Sequence, residues 1–352
     1  MILFAVVVRR ALVLSGMLLF VLLGPAWGVI LYGTDNALAN TTAPAGDQTG
    51  SGWQHQGLYG SFLGTMISPQ HFITAQHIGV SASPTFTSTA GFNGGTDVAF
   101  TIDAAANGGT GFWDIAGTDL RIYKVNETFS GHAELYTGSV AAGMELMVFG
   151  RGGPRGGEVE LEGDLKGWYH TGSDGVPRWG QNQVESIVTY AGASYLRADF
   201  DAVAGVNEAT LSVGDSGGGV FINDGGVWKL VGINYGTDGF FDINNVTGDG
   251  GEFEAALFDR GGFYQGSDGG GWTAAPLPAG LPANFYASYI PASVLEIQSI
   301  IGVPEPGPLV LMTAGGLLML RQRRQGSGFL SSAKISRPAE VGRAPEMTMS
   351  TV

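Results

Sequence analysis

A mostly β fold is what this chain predicts, and three observations carry the prediction. Short runs rich in β-branched and aromatic residues recur along it, among them Val98-Ala99-Phe100-Thr101-Ile102, Ser186-Ile187-Val188-Thr189-Tyr190 and Gly219-Val220-Phe221-Ile222. Each is bounded by Gly, Asn or Asp, residues that favour turns. With 59 glycines in 352 residues and no internal repeat, the pattern points to a barrel or sandwich and away from a solenoid or propeller. A chain of this length with 44% hydrophobic residues has enough apolar side chain for a sizeable core, in one large unit or two domains.

The elements follow in chain order. Arg9 and Arg10 precede the apolar run Ala11 to Leu23, and Ala26-Trp27-Gly28 offers small residues for cleavage. Residues 1–28 therefore read as a secretory signal peptide. A membrane anchor needs about 20 apolar residues, and Gly24-Pro25 interrupts this run first. Ala37-Leu38-Ala39 is a competing cleavage site, farther from the apolar run.

Three later blocks carry chemistry. In Phe72-Ile73-Thr74-Ala75-Gln76-His77 an apolar run closes on small residues and then an imidazole, which makes His77 the candidate general base. Thr118-Asp119-Leu120-Arg121-Ile122-Tyr123-Lys124-Val125 alternates as a strand does and carries a carboxylate at its start. Asp119 is the candidate orienting acid, and Asp114, whose strand Gly117 breaks, ranks second. Gly214-Asp215-Ser216-Gly217-Gly218-Gly219 sets a serine among residues suited to a tight turn with free backbone NH groups. A serine hydroxyl is a weak nucleophile unless a base takes its proton and an acid orients that base, so Ser216 gains meaning from His77 and Asp119. His55, His71, His132 and His170 have no comparable context and read as structural or surface residues.

Together these blocks resemble the trypsin/chymotrypsin family of serine peptidases in motif and in the chain order His, Asp, Ser. The resemblance extends to Gly60–Pro69, similar to the strand pair before the histidine, and to Val148-Phe149-Gly150-Arg151-Gly152, similar to a Gly-Trp-Gly strand without its tryptophan. Leu230–Gly236 is similar to the strand that pairs with substrate, and Tyr289–Ile301 to the closing helix. It covers roughly residues 29–301. It implies an all-β fold of two packed antiparallel six-stranded β-barrels, with the site in the crevice between them and a helix near 291–301. The N-terminal barrel would span residues 29–140 and the C-terminal barrel and helix 141–302, with the boundary between Leu135 and Met144.

The same resemblance implies roles. Ser216 would attack a peptide carbonyl, His77 would shuttle the proton, and the NH groups of Gly214 and Ser216 would hold the oxyanion. Thr210, six residues before the serine, stands where an acidic residue would select Lys or Arg. With Asn234, Tyr235 and Gly236 it suggests a pocket for a neutral P1 side chain, although Thr210 reads equally well as a loop residue. Cleavage after Gly28 would leave Val29-Ile30-Leu31 as a new terminus, whose α-amine the family would pair with Asp215. Rival readings are a catalytically silent binding protein on the same fold, or an esterase using the same triad.

No cysteine occurs, so the core must stand without disulfides. Between residues 29 and 302 nine Lys and Arg face 28 Asp and Glu, a surface unsuited to nucleic acid. The expected partner is a protein or peptide substrate. No cofactor or metal is expected. Asp242-Ile243-Asn244-Asn245 and Gly248-Asp249-Gly250-Gly251-Glu252 hold oxygen ligands suited to Ca²⁺, but their spacing fits a solvated loop better.

After Val303-Pro304-Glu305-Pro306 comes the largely apolar stretch Leu309 to Leu320 and then Arg321-Gln322-Arg323-Arg324. A rigid spacer, an apolar segment and a basic stop follow in that order. Residues 303–324 thus resemble the PEP-CTERM sorting tail of Gram-negative bacteria. This implies a transmembrane segment met by membrane sorting machinery, and an exported protein of the periplasm, cell surface or exterior. Residues 325–352, which continue past the basic cluster, read as a disordered tail.

Overall fold

The computed structural model describes residues 28–36, 38–202, 204–275, 280–302 and 349–351. The proposed signal peptide, save Gly28, and the sorting segment lie outside them. Among the described residues no helix is long and apolar enough to cross a membrane.

The fold is the expected all-β architecture of two antiparallel halves followed by a helix. A short strand, β1 (Ile30–Leu31), comes first. The N-terminal half holds β2 (Gln56–Tyr59), β3 (Phe62–Ser68), β4 (His71–Ala75), β5 (Thr85–Ser88), β6 (Val98–Thr101), β7 (Phe112–Asp114) and β8 (Leu120–Lys124). They pair in the order β6-β5-β2-β3-β4-β8-β7. The sheet curls until the end of β6 meets the end of β8, where Ile102 bridges Val125 and Asn126 NH donates to Thr101 C=O. Six strands therefore form the ring and β7 is an addition at the edge of β8. Tyr59, Met66, Phe72, Phe86, Phe100, Tyr123 and Phe129 fill it, because alternate residues of each strand point inward.

The C-terminal half begins with β9 (Glu145–Gly150) and a hairpin of β10 (Glu158–Leu161) and β11 (Asp164–Tyr169). β12 (Arg178–Gln183), β13 (Ser186–Tyr190), β14 (Ala193–Asp199), β15 (Ala209–Thr210), β16 (Gly219–Asp224) and β17 (Val227–Asp238) follow. Next come β18 (Phe240–Asp242), β19 (Ala255–Leu257), β20 (Tyr264–Ser267), β21 (Gly271–Ala274) and β22 (Asn284–Tyr289), then the helix Val294–Ile301. The large sheet runs β12-β9-β16-β17-β22-β14-β13. It curls back on itself where Asn182 Nδ2 donates to Asp199 C=O and Glu185 NH to Arg197 C=O. Leu146, Val148, Leu196, Val220, Ile222, Val231 and Phe285 form its core.

Three placements differ from the sequence reading or refine it. Residues 29–31, assigned to the N-terminal barrel, belong physically to the other half, because Ile30 pairs with Thr210 and Leu31 with Ala209. Between β8 and β9 the chain changes partner abruptly. Ala133 NH donates to Met66 C=O in the first half, whereas Tyr136 NH donates to Leu230 C=O in the second. Finally, the expected disordered tail contains a strand, β23 (Met349–Thr351), paired antiparallel with β17.

A shared core locks the halves together. Leu63, Ile67, Ile73 and Ile122 of the first half pack in one cluster with Met147, Phe149, Phe221 and Ile233 of the second, and Ile290 and Ile297 extend it to the closing helix. At roughly 25 cal/mol per Å² of apolar surface buried, such a seam resists separation of the halves.

Candidate active site

His77 sits two residues beyond β4 and Asp119 one residue before β8. These strands are neighbours, Ala75 facing Leu120 in register, so the imidazole and the carboxylate emerge side by side at one end of the first half. The register is also tied through the backbone, since Gln76 NH donates to Asp119 C=O at 2.7 Å. Asp119 then grips His77 twice. Its Oδ1 accepts the His77 NH at 2.8 Å, and its Oδ2 lies 2.6 Å from His77 Nδ1.

Ser216 arrives from the other half, on the turn before β16, and is buried. Its Oγ lies 2.7 Å from His77 Nε2. An imidazole that donates from Nδ1 to Asp119 presents Nε2 as the acceptor of the serine hydroxyl proton. One line of hydrogen bonds thus runs from carboxylate to imidazole to hydroxyl. Asp114 is placed elsewhere, its carboxylate held by Arg121 Nε and Nη2 across the β7–β8 pair.

The serine turn is anchored by buried polar groups. Asp215 Oδ1 accepts from Gly152 NH at 2.6 Å and Oδ2 from Ser212 NH at 2.7 Å. Burial pushes the Asp215 carboxyl up to about 7, against the backbone donors and the Arg178 charge that pull it down. Val29 and the Asp215 carboxylate pack against the same residue, Gly150. Asn234, also buried, donates from Nδ2 to Phe149 C=O and to Asp215 C=O, stitching β9 and β17 to the turn. Gly217 NH donates to Asn234 C=O. Among the described residues the NH groups of Gly214 and Ser216 donate to no protein acceptor. Gly214 has φ +99°, a conformation that suits glycine, and a Cβ there would lie 2.7 Å from Ser173 Cβ.

The predicted pocket residues lie on two strands, β15 and β17. Thr210 is buried and paired with Ile30 in the β1–β15 ribbon. Asn234, Tyr235 and Gly236 lie on β17 beside the serine turn. A bulge against β22 falls between Asn234 and Gly236, and such an extra residue re-aims side chains. The Tyr235 ring stands edge-on to His77, with centroids 5.7 Å apart at 89°. Burial and the nearby Asp119 charge push the Tyr235 phenol up, so it stays neutral beside the imidazole.

Two neighbours escaped the sequence reading. Tyr195 packs on Tyr235 with centroids 4.6 Å apart, although its strand lies far from the triad blocks in sequence. A cavity of about 340 Å³, lined by Tyr169, His170, Val213, Phe253 and Glu254 among others, begins one residue before Gly214. Burial lowers His170 to about 4, so its ring is neutral near pH 7. No motif marks this cavity, because three segments distant in sequence make it.

No family model matches the chain, and no curated protein matches it. Among solved structures it is similar to the inactive form of a Ser-to-Ala mutant of Rv3671c from M. tuberculosis. The two share 14% identity over 73% of this chain and 90% of that chain, with a TM-score of 0.37.

Proposed function

We propose that the protein is a serine hydrolase that cleaves peptide bonds through an acyl-enzyme. The observation that carries this reading is the unbroken line Asp119–His77–Ser216, with contacts of 2.6 and 2.7 Å, ending beside two undonated NH groups. Ser216 Oγ attacks the scissile carbonyl as its proton passes to His77 Nε2, and Asp119 steadies the imidazolium. The Gly214 and Ser216 NH groups receive the oxyanion, a contribution of about a hundredfold or more in rate for one such donor. His77 then returns the proton to the leaving amine. Water repeats the sequence and releases the acyl group.

A neutral P1 preference belongs to the proposal and rests on Thr210, which brings no charge. So does activation by a new terminus at Val29, supported by the packing of Val29 and Asp215 against Gly150. Export and membrane sorting rest on residues 1–28 and 303–324.

A fluorophosphonate probe should label the native chain covalently and leave Ser216→Ala unlabelled, and native protein that has not met the probe should cleave members of a peptide library that Ser216→Ala leaves intact. N-terminal sequencing of that native protein should read from Val29. Equal labelling of both chains would remove Ser216 from the mechanism, and labelling without any peptide cleavage would point to an esterase.

A further inference from the structure

Strand β17 has two edges, and their use is uneven. One edge pairs with β22 from Gly232 to Thr237. The other pairs with β16 only as far as Ile233, opposite Gly219, where the chain turns off into the Ser216 loop. From Gly236 to Asp238 that second edge is taken by β23, with Gly236 opposite Thr351, Thr237 opposite Ser350 and Asp238 opposite Met349. The nucleophile turn and β23 are therefore consecutive occupants of one strand edge.

Side chains fix the segment as well as its backbone. Met349 packs against a cluster that includes Tyr195, Tyr286, Tyr190 and Tyr235, and Tyr235 is the ring that faces His77. Ser350 Oγ donates to Glu254 Oε1 at 3.0 Å, and Glu254 also lines the cavity next to Gly214. At Gly236 the fit leaves no room for a side chain, since a Cβ would collide with the Ser350 carbonyl.

Direction completes the picture. The pairing is antiparallel, so Met349–Thr351 runs from Asp238 towards Asn234, and the Asn234 carbonyl accepts from the residue after Ser216. In this register a peptide continuing two residues past Thr351 reaches the level of Asn234.

We propose that Met349–Thr351 is an internal peptide ligand that, in a chain whose residues 303–324 are not inserted in a membrane, occupies the acyl-side docking edge of the candidate active site and holds the enzyme autoinhibited. The inference builds on the peptidase reading for its effect on activity, while the docking itself stands on the geometry of β17. Addition of a strand to an exposed sheet edge is a general mode of peptide capture, with backbone pairing giving affinity and alternate side chains giving selectivity. A ligand tethered by residues 303–348 competes at high effective concentration. External peptides must displace it.

Two full-length variants and one probe test the proposal. In Met349→Asp the aspartate faces the aromatic cluster, so the segment should leave the edge. A fluorescent octapeptide copying residues 345–352 should then bind Met349→Asp at least tenfold more tightly than the native chain. The double variant Met349→Asp with Gly236→Val, in which the edge itself is blocked, should lose that gain. For a peptide substrate, Met349→Asp should lower KM by about tenfold. Equal octapeptide affinity for the native and Met349→Asp chains would overturn the proposal, as would unchanged hydrogen exchange at residues 236–238 between them. Should the fluorophosphonate fail to label either chain while the octapeptide still discriminates them, the hydrolase reading falls and the docking stands.

Discussion

Asp119 does two jobs with its two oxygens, and a single-atom change separates them. In Asp119→Asn one oxygen can still accept the His77 backbone NH, but the amide cannot hold a protonated imidazole. The expected result is a loss in kcat of about ten-thousandfold with native-like thermal unfolding, measured on the best peptide found in the library. At this scale the residues of the candidate site were legible from sequence. His77, Asp119 and Ser216 announce themselves because each needs a particular local setting, and the structure brings all three within hydrogen-bond contact. Asp114 was the credible rival. What removes it is Arg121, seven residues on, whose guanidinium lies across the β7–β8 pair, a relation that depends on strand register. Tyr235 was named for the pocket, yet its edge-on contact with His77 depends on a bulge that the residue string does not reveal.

Among the elements, β17 carries the most consequences, since it touches β16, β22, β23 and the serine turn. Asn234 is its fastening. Replacing it by Ala removes the Nδ2 donor of the buried Phe149 carbonyl and leaves the Asp215 carbonyl with Gly218 NH alone, which should cost about 1–3 kcal/mol and lower the denaturant midpoint without changing the slope. The same variant should lose activity, because the turn that presents Ser216 is no longer tied to β9. Strands such as β6, β13 and β16 were legible, because their β-branched and aromatic runs end at turn formers. β23 was not. Three residues beyond a long polar stretch have no periodicity to read, and only the unfilled edge of a strand more than 100 residues earlier gives them a place. The β1–β15 ribbon was hidden for the same reason, being two residues long and paired across the chain.

For the molecule as a whole, acidity inside matters more than acidity outside. Burial raises Glu208 from 4.5 to about 8 and Asp215 from 3.8 to about 7. Both folded-state values exceed the unfolded ones, so the folded protein binds these protons more tightly. Their stabilising contribution is full below about pH 4 and is lost as pH rises through 7 to 8. Melting temperature should therefore fall across that window. Glu208→Gln, which keeps an acceptor for Asn182 Nδ2 and Asp201 NH, should flatten the fall; an unchanged slope would place its cause elsewhere. Barrel topology at this scale came from the motif resemblance, while periodicity alone reached only a mostly β chain.

The division of the triad between the halves has one more consequence. His77 and Asp119 belong to one half and Ser216 to the other, and Leu63, Ile73, Phe149 and Phe221 cement the seam behind them. A chain caught with only one half folded holds either a base without a nucleophile or a nucleophile without a base. On the proposed mechanism, chemical competence thus becomes a checkpoint on assembly, since the catalytic line closes only when both halves have folded.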